Sequence, residues 1–338
     1  MPCGASQCLR GGGAFGKNRG VRLFLITGDL FDGERLTSDT RDFIISQTER
    51  FPECRFFIAP GNHDPYNAAS PYNRMSLPAN VHVFRGRGKV EIPEWNVDVY
   101  GFGFTEKHCA DKPLCGHGAL RPDRINILVC HGDLGGSEDY GPISRADIAS
   151  SGFDYVAMGH IHTCGGGCEN GTYYAYSGCI QGRGMDETGV KGALYGTVGK
   201  GKVELEFLPL SRRRYEIIEL EVRPEDGRKD VMERLGDKLV KYDGDCRVRV
   251  IIKGETENAL LLNAESVKSF SGTSAETEIV DKTVPAVRLT DAESQNTLRG
   301  AFCRRMKTLS ENAVGEDREV ATLAYKLGLE ALAGRLGE

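Results

Sequence analysis

The sequence predicts an α/β protein: two packed β-sheets flanked by helices, followed by a smaller α+β domain. Three observations lead there. Short runs rich in β-branched and aromatic residues recur from Val21 to about Leu210, with loops and occasional helices between them. Small polar groups flanked by glycine follow directly on four of those runs. The character then changes after Arg212-Arg213-Arg214.

The predicted strands are VRLFLI from Val21, RFFIA from Arg55, VHVF from Val81, VDVYGFGF from Val97, INILVC from Ile125 and YVAMG from Tyr155. Helices are expected at residues 40–49 and 144–150, where Ser144 suits an N-cap because its hydroxyl can accept from a first-turn amide. YYAYSG comes next, and ALYGTV with KVELEFLPL around a Gly-Lys-Gly turn reads as a hairpin. Residues 196–202 fit the spacing of a phosphate-binding loop, but Val203 stands where that loop needs Ser or Thr. Strand-like alternation continues on both sides, so the hairpin reading holds. Beyond Arg212 the order is strand YEIIELEV, a helix over 224–242, strand CRVRVIIKG, a polar stretch at 269–278, and helices over 291–309 and 316–336. The expected divisions are an atypical glycine-rich opening (1–20), a first domain (21–212) and a C-terminal capping or partner domain (213–338).

A chain of 338 residues can bury a large core and carry a second domain. Hydrophobic residues at 40% and charged residues at 27% describe an ordinary globular protein. No apolar run reaches the length of a membrane span, and the opening lacks the apolar centre of a secretory signal, so a cytoplasmic protein is expected. Eleven cysteines, an odd number, fit reduced thiols rather than a disulfide framework. Cys164, Cys168 and Cys179 match no common zinc spacing and read as free thiols. A net charge of −5 argues against a general polyanion binder. It leaves a nuclease open, because a local basic patch and bound cations can handle phosphate.

Four segments hold the chemistry: Gly28-Asp29-Leu30-Phe31-Asp32, Gly61-Asn62-His63-Asp64, His131-Gly132-Asp133 and Gly159-His160-Ile161-His162. Each follows a predicted strand, where the sheet fixes position and glycine lets the backbone turn closely around an ion. Carboxylate, amide oxygen and imidazole make a donor set suited to manganese, iron or zinc. Any one segment alone reads equally well as a turn, a helix cap or a structural histidine. Together, at four strand ends in one order, they point to a metal site.

The series GD-x-x-D, GNHD, H-G-D and GH-x-H resembles the signature of the calcineurin-like metallophosphoesterases, over roughly residues 21–210. The resemblance implies that family's two-sheet β-sandwich and two divalent metal ions, Mn2+ first, with Fe2+ or Zn2+ as alternatives. It implies that Asp29 bridges the metals, that Asn62, His131 and His160 complete the second, and that His162 binds the first. His63 would then stand beside the scissile phosphate as acid or charge stabiliser, oriented by Asp32. Protein phosphatases resemble GDxVDRG followed by GNHE, whereas Gly33-Glu34 follow Asp32 here and Asp64 replaces Glu, which disfavours that branch. GDLFD, GNHDPY, GHIH and YSGCIQGRG, with the C-terminal addition, are more similar to the D-subunit of SbcCD and to YhaO-type DNA repair exonucleases.

That narrower similarity implies a DNA exonuclease, with DNA and a long coiled-coil ATPase of the SbcC type as partners. It leaves a homodimer open and implies no membrane association. The alternatives are a small-molecule phosphodiesterase or nucleotide pyrophosphatase, and a weakly active partner-binding subunit. The family normally opens with a strand ending in Asp-x-His, yet no histidine precedes His63. The expectation is that the first metal keeps only Asp29 and His162 in the chain as written, a misassigned start or disrupted frame being the favoured cause. Arg212 to Arg214 read equally as a solvated strand start and as a phosphate-contacting patch. In the last helix Val320, Leu323, Leu327 and Ala331, with Leu329, Leu332 and Leu336 beside them, read first as core packing and second as a docking face for the ATPase.

Overall fold

The computed structural model describes residues 19–33, 36–256, 260, 262–286 and 296–332. Most of the glycine-rich opening, Glu34, the start of the helix expected at 291–309, and Leu336 lie outside the described residues. The chain divides into two compact units, residues 1–183 with 189–212 and residues 184–188 with 213–338. Among the described residues, no helix is long and apolar enough to cross a membrane.

The first unit opens with β1 (Leu23–Ile26), α1 (Ser38–Glu49), β2 (Arg55–Ile58) and β3 (Val81–Val83). The three strands form a parallel sheet in the order β1-β2-β3. Next come β4 (Arg87–Ile92), β5 (Val97–Phe102), β6 (Ile125–His131), β7 (Asp133–Leu134), β8 (Pro142–Ile143), α2 (Arg145–Ser151), β9 (Tyr155–Gly159), β10 (Gly165–Glu169) and β11 (Thr172–Tyr176). Six of these strands make the second sheet, in the order β10-β11-β9-β6-β5-β4. Its central strands are parallel, and β4 and β10 close the two edges antiparallel.

Strand alternation sends every second residue to one face, and this builds four layers. Phe57 of β2, with Leu23 and Leu25 of β1, meets Val99, Ile127, Val129 and Tyr155 between the sheets. The outer face of the large sheet (Tyr100, Leu128, Val156, Met158) packs on Ile148 of α2 and on Phe153. The outer face of the small sheet meets Ile44 of α1 through Ile58. The result is helix, sheet, sheet, helix: the two-sheet sandwich that the sequence predicts. Ser144 caps α2 through a reciprocal pair, Asp147 N–H to its Oγ at 3.0 Å and its own N–H to Asp147 Oδ2 at 3.0 Å.

β12 (Gly192–Gly199) and β13 (Lys202–Pro209) pair antiparallel from Gly192↔Pro209 to Gly199↔Lys202, so this glycine-lysine turn is a hairpin tip. Lys200 pins the tip by donating to Asp154 Oδ2 at 3.0 Å and to the Arg124 carbonyl at 3.0 Å.

The second unit carries β14 (Arg214–Val222), α3 (Arg228–Leu239), β15 (Cys246–Thr256), α4 (Ala264–Ser271), β16 (Glu276–Asp281), β17 (Val284–Pro285), α5 (Leu298–Asn312) and α6 (Glu316–Leu332). β14, β15 and β16 run parallel, as does β17 beside the end of β15. Leu220, Val248, Val250 and Ile252 pack against Val231, Leu235 and Leu239 of α3 and Val267 of α4. The stretch read only as polar at 269–278 holds the end of α4 and the start of β16. Its apolar side is short, Val267 alone being buried in α4, which is why the helical period is hard to see.

The last helix also departs from expectation. Val320, Leu323 and Leu327 are 66%, 57% and 45% exposed, and Ala331 is exposed, so this stripe is not core. α6 is held instead through Tyr325 against Phe302, Cys303 and Met306, and through Gly328, whose missing side chain makes room for the Phe302 ring.

Candidate metal centre

The four polar segments leave the carboxyl ends of parallel strands in both sheets, where strand-end loops converge. Register brings them together. In the large sheet His131, the last residue of β6, pairs with Gly159, the last of β9, so His131 and His160 are neighbours. In the small sheet Ile26 pairs with Ile58, which sets Asp29 and Asn62 on adjacent turns.

The backbone turns sharply here. Gly28 has φ +93°, and the non-glycine residues Asp29 and His160 are also left-handed at φ 51° and 102°. Such conformations in residues with a Cβ store strain and occur where function over-determines the geometry. A Cβ on Gly28 would lie 2.6 Å from His131 Nδ1, and one on Gly61 would run into the Asp29 carboxylate and the same ring. These glycines are a cradle.

His131 is nearly inaccessible, and its Nδ1–H donates to the Thr27 carbonyl at 2.8 Å. In the neutral ring this leaves a lone pair on Nε2. That nitrogen lies 2.9 Å from Asn62 Oδ1 and 3.5 Å from Asp29 Oδ2. With the ring neutral, three acceptors converge there, an arrangement that a cation resolves. Orientation of the imidazole by a backbone carbonyl is what a metal-binding histidine ordinarily has. The residues present fit a divalent metal.

The His160 ring sits 5.2 Å from that of His131, and its Nε2 is 3.9 Å from Asp133 Oδ2. Burial, then the neighbouring His131, lowers the His160 imidazole below its usual range, favouring the neutral form that binds cations. Tyr140 stacks on His160 at 5.2 Å. His162 is close enough for its charge to act on both Asp32 and His160, and its carbonyl accepts from Lys191 Nζ at 2.9 Å.

His63 behaves differently from its neighbour Asn62. Its backbone N–H donates to Asp29 Oδ1 at 2.9 Å while its ring, 46% exposed, faces outward with Nδ1 3.6 Å from Asp32 Oδ1. Asp32 Oδ2 accepts from Arg183 Nη1 at 2.7 Å. The Arg183 hydrogen bond is the main cause holding the Asp32 carboxyl below its ordinary value.

Asp64 is wholly buried beneath the site. One oxygen accepts from the amides of Gly61 (2.7 Å) and Asp29 (3.1 Å); the other from Leu30 (2.9 Å), Phe31 (3.2 Å) and the Tyr72 hydroxyl (2.7 Å). Sequence reasoning included Asp64 in a motif without a role, and missed Tyr72, Tyr140 and Arg183. Tyr72 sits in a single 3-10 turn (Pro71–Arg74) and Tyr140 in a loop, neither long enough to show a periodic pattern, so only contact reveals them. Among the described residues no cysteine is in a disulfide, and Cys164 and Cys168 are exposed.

Residues 9–164, a little under half of the chain, match the family "Calcineurin-like phosphoesterase", and all four segments of the site lie within that match. Such domains use divalent metals, and the class points to metal-dependent hydrolysis of phosphoesters. The chain is also similar to the "Uncharacterized metallophosphoesterase YhaO" of Bacillus subtilis (strain 168), 27% identical over 254 residues, 71% of this chain and 62% of the relative. It therefore spans less than two thirds of that relative's length.

Proposed function

We propose that this chain is a phosphodiesterase acting on DNA, an exonuclease or repair-nuclease subunit working with two divalent metals, Mn2+ first among them. The observation that carries the reading is the convergence of Asp29, Asn62, His131 and His160 beside an outward-facing His63. His63 and Asp32 are 46% and 69% exposed in their side chains, an open rim that suits a polymer better than an enclosed small molecule. Asp29, Asn62, His131 and His160 would hold one metal, with Asp29 and His162 reaching the other. When bound, the metals supply charge neutralisation at phosphate and acidification of water.

The chain's own part is orientation and proton transfer. A water oxygen forms the new bond to phosphorus and releases a proton to solvent, the ester P–O bond breaks, and its electron pair stays on the leaving oxygen. His63 delivers a proton to that oxygen and Asp32 keeps the ring turned toward it. The exposed stripe on α6 suits docking of a coiled-coil ATPase, and a reducing, cytoplasmic setting suits thiols that form no disulfide among the described residues.

His63→Ala should cost about two to four decades in turnover, the usual worth of a general acid, with metal content unchanged. His131→Ala should lose metal as well. Equal metal loss in both variants defeats the assignment, and turnover of bis-p-nitrophenyl phosphate without attack on duplex ends favours a small-molecule phosphodiesterase.

A further inference from the structure

Arg183 stands 151 residues from Asp32 in the sequence, and the fold brings its guanidinium to the outer oxygen of that carboxylate at 2.7 Å. The inner oxygen faces His63 Nδ1 at 3.6 Å. The three side chains form a row, guanidinium, carboxylate, imidazole, at the rim of the centre. We propose that Arg183 is a positioning residue: it anchors the Asp32 carboxylate, and through it sets the orientation of the His63 ring. This rests on the reading of His63 and Asp32 given above.

The need for an anchor follows from exposure. Asp32 is 69% exposed in its side chain and lies in the glycine-flanked turn after β1, where nothing in the turn itself fixes its rotamer. A free carboxylate in water samples several rotamers, and a histidine relying on it would be correctly aimed only part of the time. A guanidinium presents a planar fork of donors that fixes a carboxylate in direction as well as distance. Lysine offers a point charge on a flexible stem and fixes direction poorly. Arg183 also follows Gly182 and precedes Gly184, so its backbone can approach the rim closely. The Arg183 hydrogen bond is also the main cause holding the Asp32 carboxyl below its ordinary value.

Two substrates separate orientation of an acid from binding of phosphate. A diester with an alkoxide leaving group, such as a DNA strand, needs a proton on its leaving oxygen; p-nitrophenolate leaves without one. Arg183→Gln should lower kcat on DNA roughly tenfold, the low end of what loss of an orienting partner costs. It should lower kcat much less on bis-p-nitrophenyl phosphate, with KM and metal content near wild type. Arg183→Lys should recover only part of the loss. Combined with Asp32→Asn, Arg183→Gln should add nothing, since both act through one carboxylate. Ring 15N shifts at a single pH supply a readout apart from turnover: the share of His63 protonated on Nδ1 should fall alike in R183Q and D32N.

A rise in KM on both substrates makes Arg183 a phosphate contact and overturns the proposal. So do additive losses in the double variant, or an unchanged His63 signal in R183Q. If D32N itself keeps the wild-type rate on DNA, the failure lies in the assignment of the His63–Asp32 pair, and the proposal falls with it.

Discussion

A carboxylate with no exposed surface needs donors, and Asp64 takes them from two loops at once. Burial still raises its carboxyl above the ordinary range, with Tyr72 and the backbone amides pulling the other way. Each amide that Asp64 receives would otherwise be an unpaired buried donor, costing on the order of 1–3 kcal/mol. Asp64→Asn replaces one acceptor oxygen with a donor, and whichever way the amide turns it faces N–H or O–H groups. The expected loss is about 2–4 kcal/mol of unfolding free energy, read from denaturant melts. Tyr72→Phe removes a single hydroxyl and should cost about 1 kcal/mol. A melt of D64N no lower than that of Y72F would show that the site's loops are held by something else.

At the level of elements, the metal centre depends on turns too tight for side chains. Gly61 follows β2 and lies against both the Asp29 carboxylate and the His131 ring. Gly61→Ala should therefore push Asp29 and His131 apart and weaken metal binding by roughly 10–100-fold, measured by metal titration, while far-ultraviolet circular dichroism stays unchanged. Retained affinity would mean that the loops can yield. The same turns explain what could be read in advance. Strands such as Arg55–Ile58 and Tyr155–Gly159 are dense in β-branched and aromatic residues, and the candidate ligands follow their ends, so the sandwich and the grouping of those residues were both legible. The edge strands of the large sheet were not. β4 alternates charged residues with Gly88, Val90 and Ile92, and β10 opens on three glycines, of which Gly166 has no room for a Cβ against the Tyr174 backbone. Arg183 was hidden for another reason: its partner lies 151 residues away, and no local pattern encodes such a meeting.

For the whole molecule, a ligand that binds only the folded state adds to its stability. Mn2+ at a hundred times its dissociation constant should add about 2.7 kcal/mol to the first unit. At about 2–4 °C per kcal/mol for a unit of this size, the melting temperature should rise roughly 5–10 °C. Chelator should reverse the shift and His131→Ala should abolish it; an equal shift in that variant would place the metal elsewhere. The link from His131 to the Thr27 carbonyl spans 104 residues, and that from His131 to Asn62 spans 69. Closing either loop before the sheets form would carry an entropic cost that only completed packing offsets. Metal binding is therefore expected to follow folding, as a seal on a finished fold rather than a template for it.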